Sequence, residues 1–210
     1  MKTRFLALAT APAALGLVLA GLSGCGSKMA QSNPLGPVPV AAGSNALCPA
    51  RYSFEPTTGD PSPILDWYWP TWMSGFSTKP VTDTQHVTCG LYSVKFSCHF
   101  DGSNGDGNAG VFQTYFANQE DNTGKVVTMN VYFSPTPPPQ LGITTAFINP
   151  QNNPVPGPVW ETMGYKQGWN QYRSDFTGSV VNQSDGFYLK FTGAVGTPWT
   201  GTIWVDDINW

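Results

Sequence analysis

Apolar residues recur at every second position over several short stretches of the chain, and this spacing predicts β-strands. The alternation is clearest over residues 91–100 and 126–133, where every second side chain is apolar. Further stretches rich in strand-forming residues are 51–55, 83–89, 111–117, 144–148, 170–176, 187–192 and 202–209.

Turn-forming residues separate these stretches. Residues 102–108 are rich in glycine and asparagine, and 134–140 contain four prolines, which must leave the sheet. No long stretch shows apolar residues at helical spacing. Many short strands with regular turns predict an all-β sandwich or barrel.

The N-terminus follows a different pattern. Lys2 and Arg4 precede an apolar run over 5–22, which ends in Leu-Ser-Gly-Cys at Cys25. A basic start, a short apolar centre and small residues at the end are typical of a secretory signal. The ending resembles the lipobox of bacterial lipoproteins. The resemblance implies cleavage before Cys25, acylation of that residue, and a lipid anchor in the cell envelope, with the outer membrane expected by family analogy.

These patterns divide the chain into three segments: a lipoprotein signal peptide over 1–24, a tether rich in proline, glycine and serine over 25–47, and a β-sandwich domain over 48–210.

Charged residues make up 11% of the chain, against roughly 25% in an average soluble protein. Loss of Lys2 and Arg4 with the signal takes the net charge from −3 to −5. An acidic chain without a basic stripe argues against nucleic acid as a partner.

Three cysteines remain after the lipidation site: Cys48, Cys89 and Cys98. An oxidising compartment allows one disulfide among them. A predicted strand separates Cys89 from Cys98 by roughly 30 Å, whereas a bridge joins Cα atoms about 5–6 Å apart. Cys48 is therefore the available partner for one of the other two.

Residues for acid–base catalysis are few. Glutamate occurs only at Glu55, Glu120 and Glu161, and histidine at two positions. A glycosidase needs two carboxylates about 5–10 Å apart. Glu120 with Glu161, or a pair in the 101–106 loop, could meet this, but their spacing also fits ordinary turns, which is the favoured interpretation.

Aromatic residues are the positive signal for function. Sugar rings have apolar faces and a rim of hydroxyls, which flat aromatic side chains and neighbouring amides match. The candidate ligand-binding residues are Trp67, Trp69, Trp72 and Trp199, with Tyr115 and Trp160 as lesser candidates. Prolines break the 63–72 segment, so its tryptophans fit a surface loop and a core equally well. The residues expected in the core are Trp169, Tyr172 and Trp204.

Four motifs occur in a fixed order: Tyr-Ser-Phe-Glu at 52–55, His-Val-Thr-Cys-Gly-Leu-Tyr-Ser-Val-Lys-Phe at 86–96, Gly-Trp-Asn at 168–170, and Gly-Thr-Ile-Trp-Val-Asp-Asp-Ile at 201–208. The series looks like the galactose-binding-like β-sandwich carbohydrate-binding modules of bacterial polysaccharide-degrading enzymes. The resemblance implies a jelly-roll β-sandwich and non-catalytic binding of a polysaccharide or oligosaccharide. Cys89 departs from the usual pattern, which has a small or polar residue there.

The resemblance also implies a structural calcium ion held by Glu55 and Asp206, with Asp207 as the lesser ligand, because calcium prefers hard oxygen donors. The alternative is that Asp206 and Asp207 end an exposed edge strand. By the same analogy Glu55 lies beside the strand that begins near residue 90. If the two strands run antiparallel, a Cys48–Cys98 bridge follows, with Cys89 as a thiol. Cys48–Cys89 is the competing pair.

Three functions remain open: non-catalytic glycan binding by an anchored lipoprotein, a glycan-active hydrolase or lyase, and a structural or adhesive lipoprotein. The few acid–base residues favour binding over catalysis. The aromatic content and the family resemblance favour it over adhesion.

Overall fold

The computed structural model describes residues 50–55, 64, 66–157, 160–161 and 165–210, with the backbone alone at 156, 160 and 161. All of them belong to one compact unit, 33–210. The predicted signal, Cys25, the tether and Cys48 lie outside the described residues. Within the described part, no helix has the length and apolar character needed to cross a membrane.

The described residues form eleven strands and one short 3₁₀ turn. The strands are β1 Trp67–Tyr68, β2 Val81–Asp83, β3 Ser93–Phe100, β4 Ala109–Glu120, β5 Val126–Ser134, β6 Gly142–Ile148, β7 Pro154–Pro156, β8 Trp160–Glu161, β9 Gly168–Asp175, β10 Ser184–Thr192 and β11 Trp199–Asn209. The 3₁₀ turn, Asp106–Asn108, lies in the glycine-rich loop.

The strands form two antiparallel sheets. The first sheet has the order β1-β4-β10-β6-β7, with β8 also paired to β6. The second sheet has the order β2-β3-β11-β5-β9. The domain is therefore an all-β jelly-roll sandwich, which confirms the predicted fold class.

The core consists of inward-facing side chains from both sheets. Alternate residues of β5 are fully buried, as their period of two predicts. Phe96 of the second sheet meets Phe112 of the first edge-on, with ring centroids 5.1 Å apart, and lies 5.5 Å from Phe191. Complete burial of such a side chain stabilises the fold by about 1.5–3 kcal/mol relative to exposure.

The predicted strand over 83–89 is wrong. β2 ends at Asp83, and the residues up to 91 are mostly bends. Backbone N–H groups of 88–92 bind two carboxylate side chains instead of a neighbouring strand. Residues 51–55 form only one isolated bridge, between Tyr52 and Ile208. β1, β7 and β8 were not predicted, because two or three residues are too few to show a period.

Candidate functional site

A row of side chains crosses the outward face of the first sheet. The backbone register places Tyr68 of β1 opposite Gln113 of β4. Gln113 is in turn opposite Tyr188 of β10, which is opposite Ala146 of β6. Directly opposed side chains have Cβ atoms about 4.5–5.5 Å apart. Two tyrosines therefore flank one glutamine amide on a rigid surface.

Tyr115 extends this row along β4. It is 48% exposed. Gln113 Nε2 donates a hydrogen bond to the Tyr115 hydroxyl (3.0 Å), which donates to Asn152 Oδ1 (3.0 Å). The β10 residue opposite Tyr115 is Gly186. A Cβ there would lie 2.4 Å from the carbonyl oxygen of Thr114, so only glycine fits, and β10 places no side chain beside the Tyr115 ring.

The two tyrosines of the row differ in exposure. Tyr68 is 52% exposed, whereas Tyr188 is half-buried, and burial raises the pKa of Tyr188 to about 12. Its hydroxyl therefore stays neutral at physiological pH and can both donate and accept a hydrogen bond. Such a hydroxyl suits a ligand that is itself rich in hydroxyl groups.

The loop after β1 adds a further exposed ring. Its end lies along the start of β4, where the Gly75 N–H donates to the Ala109 carbonyl oxygen (2.8 Å). Trp72 is 61% exposed, whereas Trp69 is half-buried against the core. The Lys79 ammonium lies 4.7 Å from the centre of the Trp69 ring.

Two predicted platforms are core residues. Trp67 is 4% exposed and stacks on Phe112 with ring centroids 4.4 Å apart. Trp199 is 8% exposed, stacks on Phe100 and donates its indole N–H to the Thr136 carbonyl oxygen (3.3 Å). Neither ring presents a face to solvent, so the prediction of a surface platform is wrong for both. The Trp160 side chain lies outside what the structure describes.

Sequence reasoning missed Tyr68, Gln113 and Tyr188. The alternation of inward and outward residues in strands could have identified all three. Tyr68 lies between two tryptophans, so in a strand it must point away from Trp67. Gln113 and Tyr188 are the outward positions of stretches whose inward neighbours are apolar. The aromatic count drew attention to tryptophan, whereas the exposed row is mainly tyrosine.

The three aromatics expected in the core have different positions. Tyr172 is buried there. Trp204 is also buried, but it lies on the outward face of the second sheet, beneath His86. Trp169 is half-buried on the same face beside Tyr132, with ring centroids 5.4 Å apart. The core prediction therefore holds for Tyr172, and the other two pack on the outside of the sheet.

Glu55, predicted to bind calcium, holds the chain at the start of β3. Its Oε1 accepts hydrogen bonds from the backbone N–H groups of Leu91 (2.6 Å) and Tyr92 (2.8 Å). Charged acceptors make stronger hydrogen bonds than neutral ones. Glu55 therefore fixes one end of the 88–92 segment.

Asp206 holds the other end of that segment. Its Oδ2 accepts from the Thr88 N–H (2.7 Å), the Thr88 hydroxyl (2.8 Å) and the Cys89 N–H (3.3 Å). Asp206 is fully buried, and β11 lies between β3 and β5. The alternative of an exposed edge strand ending at Asp206 is therefore wrong.

A β-bulge brings Asp207 to the same side as Asp206. Pairing between β11 and β5 is regular up to Asp206 and Asn130, and resumes at Asn209. Asp207 at the bulge has φ 54°. Consecutive strand residues normally face opposite sides, yet both carboxylates here bind the Thr88 hydroxyl, and Asp207 also accepts from Asn130 Nδ2 (3.0 Å).

This arrangement changes the acidity of Asp206. Burial, together with the neighbouring Asp207 carboxylate, raises the pKa of Asp206 to about 7, against the opposing effect of the Thr88 and Cys89 donors. Burial disfavours the charged carboxylate, and the second carboxylate adds repulsion.

The donor types of Glu55 and Asp206 are compatible with calcium. Both residues have carboxylate oxygens, which are the hard donors that calcium prefers. Both carboxylates also contact the same short segment, 88–92. Among the described residues, no group of three or more His, Cys, Asp or Glu side chains has metal-binding geometry. The remaining ligands of such an ion would therefore be backbone carbonyl groups or water.

The predicted Cys48–Cys98 bridge is wrong. Cys98 is a free thiol buried in the core, where its Sγ lies 3.6 Å from the Phe96 carbonyl oxygen. Burial raises the pKa of this thiol well above its usual range. Cys89 is the disulfide-bonded residue. Because β3 alternates, Cys98 shares the inward face of Phe96, which buries its thiol in the core.

The carboxylates considered for catalysis make other contacts. Glu120 pairs with Arg51. Asp101 Oδ1 accepts the Ser103 N–H (2.8 Å), which lowers the pKa of Asp101. A general acid needs the opposite shift. The side chain of Glu161 lies beyond the described part of the chain.

No protein-family model matches the chain, and no curated protein matches it. Solved structures do match it in fold. A family 28 carbohydrate-binding module specific for non-crystalline cellulose has a TM-score of 0.55 and 16% identity, covering 82% of this chain and 98% of the module. A structure explaining the promiscuous specificity of β-sandwich carbohydrate-binding modules has a TM-score of 0.53 and 14% identity, covering 77% of this chain and 61% of that one. At these identities the likeness establishes a shared fold, the jelly-roll β-sandwich of carbohydrate-binding modules.

Proposed function

We propose that this protein is a non-catalytic module that binds a polysaccharide or oligosaccharide across the outward face of the first sheet. The observation that carries the proposal is the cross-strand row of Tyr68, Gln113 and Tyr188. In it two tyrosines, one of them half exposed, flank an amide on adjacent strands.

The row suits a sugar chain for physical reasons. Tyr68 and Tyr188 lie two strands apart, which is about 9.5 Å at the usual strand spacing. Each ring offers an apolar face to the C–H face of a sugar, and the Gln113 amide can both donate to and accept from the hydroxyls between them. The sheet backbone holds all three side chains in place, so little ordering is needed on binding.

Tyr115 and Trp72 are the predicted ligand-binding residues best placed to extend this surface, because both are exposed near β4. Trp69 is less available to a ligand, because it packs against the core. Since a structural neighbour is specific for non-crystalline cellulose, amorphous cellulose and cello-oligosaccharides are the first probes.

The test is retention on soluble polysaccharides in affinity gels, followed by calorimetry with cello-oligosaccharides. Tyr188→Ala should weaken binding at least tenfold, which is about 1.4 kcal/mol, without lowering the melting temperature markedly. Val180→Ala, on an exposed loop, is the matched control.

Reducing-sugar release by the wild type would favour the hydrolase alternative. Absence of binding to every glycan on an array would favour adhesion.

Calcium is a second part of the proposal, with Glu55 and Asp206 as ligands. Calcium when bound would add a positive charge beside the 88–92 segment and stabilise the fold by mass action, by about 2.7 kcal/mol at 100 times the dissociation constant. Chelator should then lower the melting temperature of the wild type but not of Glu55→Gln. Equal melting with and without chelator would remove calcium from the proposal.

We also propose that acylation at Cys25 anchors the protein to the cell envelope, on the strength of the lipobox resemblance. Cys25→Ser should move the protein from the membrane fraction to the soluble fraction. An unchanged distribution would exclude this anchor without affecting the glycan-binding proposal.

A further inference from the structure

Lys190 lies on the same outward face as the cross-strand row of the first sheet, and next to that row along β10. It is two residues after Tyr188, and strand residues at this spacing point to the same side, about 7 Å apart. The register places Lys190 between Val111 of β4 and Thr144 of β6. The surface assigned to glycan binding therefore has a lysine beside its more buried tyrosine.

The charge of Lys190 is not balanced by a neighbouring side chain. In the described part of the chain, no carboxylate forms an ion pair with Lys190 and no aromatic ring lies under its ammonium. Yet Lys190 is half-buried, and Val111 beside it is only 2% exposed. A partly buried charge without a counter-charge is unfavourable, and an apolar neighbour strengthens its attraction for an anion.

Lys95 provides a comparison within the same fold. It lies on the outward face of the second sheet and is half-buried like Lys190. Its ammonium forms an ion pair with Asp83 (3.3 Å) and lies 5.6 Å from the Trp204 ring. The protein thus neutralises the lysine on its covered face and leaves the lysine on its open face available to a ligand.

We propose that the glycan bound on the first sheet is acidic, and that Lys190 pairs with a carboxylate on the sugar residue that contacts Tyr188. This inference rests on the proposed function and names its substrate class. A uronic acid fits the arrangement, because its carboxylate projects from the edge of the ring and the long, flexible lysine side chain can follow it. The hydroxyl of Thr144, opposite Lys190, can donate a hydrogen bond to the same carboxylate.

One acidic residue of the same sheet bears on this assignment. Glu161 of β8 pairs with Gly142 of β6, whereas Lys190 pairs with Thr144, two residues further along β6. An internal pair between Lys190 and Glu161 would compete with a ligand. Thermal melts of Lys190→Gln, Glu161→Gln and the double variant measure such a pair, and they should show no coupling between the two positions.

The binding test compares neutral and acidic forms of the same sugar chain by calorimetry with the full-length protein. One pair is a β-1,4-glucan oligosaccharide and its C6-oxidised form, and the other is methyl-esterified and free oligogalacturonate. At low ionic strength the acidic form of at least one pair should bind about fivefold more tightly, near the upper end for a partly exposed ion pair. Added sodium chloride should reduce this preference, because salt screens the attraction.

Substitutions assign the preference to one side chain. Lys190→Gln should abolish it by weakening the acidic form, whereas Lys190→Arg should preserve it because the positive charge remains. Tyr188→Ala should weaken both forms. Lys125→Gln is the matched control, since it removes the same charge from an exposed position before β5, and it should leave the preference unchanged.

Several results would overturn the inference while leaving glycan binding intact: equal affinity for the neutral and acidic forms, a preference that survives Lys190→Gln, an equal loss in Lys125→Gln, or coupling between Lys190 and Glu161 in the melts. Binding of none of the four sugar chains, or binding that survives Tyr188→Ala, would instead count against the proposed function, and the inference would fall with it. The two failures are therefore distinguishable.

Discussion

Each sheet carries a row of side chains on its outward face, across neighbouring strands. In the first sheet the row is Tyr68, Gln113, Tyr188 and Ala146. In the second sheet it is Val81, Lys95, Trp204, Tyr132 and Trp169. By composition the second row is the more aromatic, with two tryptophans against none.

The two rows differ in what covers them. In the first, Tyr68 is half exposed to solvent. In the second, the His86 ring stacks on Tyr132 and meets Trp204 edge-on at 4.3 Å. The Lys95 ammonium lies 5.6 Å from the Trp204 ring and forms an ion pair with Asp83 (3.3 Å). Trp204 is consequently 5% exposed.

The segment after β2 covers the second row, and contacts with distant parts of the chain hold this covering segment in place. Glu55 and Asp206 bind its backbone at 88–92, and Cys89 is disulfide-bonded. Aromatic content therefore does not by itself identify an exposed aromatic surface in this molecule. The deciding feature is whether a neighbouring segment covers the rings.

The largest expected effect separates core from surface tryptophan. Trp67→Ala should lower the free energy of unfolding by about 3–5 kcal/mol, because it leaves a cavity under Phe112. Trp72→Ala should change it by less than about 0.5 kcal/mol. Urea denaturation measures both. A small effect of Trp67→Ala would contradict its core position.

The next largest effect is a pH dependence of stability, which tests how Asp206 holds the segment after β2 that covers the second row. The pKa of Asp206 is about 7 in the folded protein and 3.8 as its ordinary value. The folded state then binds a proton that the unfolded state has lost, so stability falls as pH rises through this window. Without calcium, the fall between about pH 5 and pH 7 should be about 2 kcal/mol.

Asp206→Asn should remove this slope, whatever its overall stability. Added calcium should flatten the wild-type slope if it binds there, because a cation favours the charged carboxylate. Parallel pH profiles for the wild type and Asp206→Asn in chelator would show that Asp206 does not titrate in this range.

A third prediction compares one tyrosine substitution in each of the two rows. Tyr188→Ala should weaken polysaccharide binding at least tenfold, about 1.4 kcal/mol, with little loss of stability. Tyr132→Ala should do the reverse and lower stability by about 1–2 kcal/mol, because the ring packs between His86 and Trp169. Calorimetry with cello-oligosaccharides and thermal melts provide both readouts. The opposite pattern would place the binding face on the second sheet.

The smallest expected effect comes from removing the His86 ring, which covers Tyr132 and Trp204 in the second row. His86→Ala should cost less than about 1 kcal/mol but expose Trp204, raising acrylamide quenching of tryptophan fluorescence. Burial lowers the pKa of His86, so His86 contributes a small loss of stability as pH falls below about 6.5, which opposes the larger gain from Asp206. In an Asp206→Asn background this small loss should be visible, and His86→Ala should remove it. Unchanged quenching would show that His86 does not shield the ring.

The fold could be predicted from the sequence because strand alternation is local. β5 and β6 were predicted nearly to their ends, and the prolines after Ser134 end β5 as expected. The 83–89 stretch could not be predicted, because its backbone partners, Glu55 and Asp206, are far away along the chain. Their contacts outweigh a weak strand preference.

The candidate site was predicted only in part, for a similar reason. Tyr115 and Trp72 are exposed as expected, whereas Trp67 and Trp199 are buried. A tryptophan beside proline looks the same in sequence whether a second sheet packs on it or not. The cysteine pairing failed because it depended on strand adjacency taken from a family analogy.

The amino-acid sequence by itself determined the all-β class and restricted the architecture to a sandwich or a barrel, because both depend on the local spacing of apolar and turn-forming residues. Its N-terminal signal stays a prediction, since those residues lie outside the described part of the chain. Only the tertiary structure decided which aromatic row is open, which cysteine is buried, and how a bulge brings Asp207 to the same side of the sheet as Asp206. Each of these depends on segments that are distant in sequence and meet only when the two sheets are complete, so no local pattern encodes them.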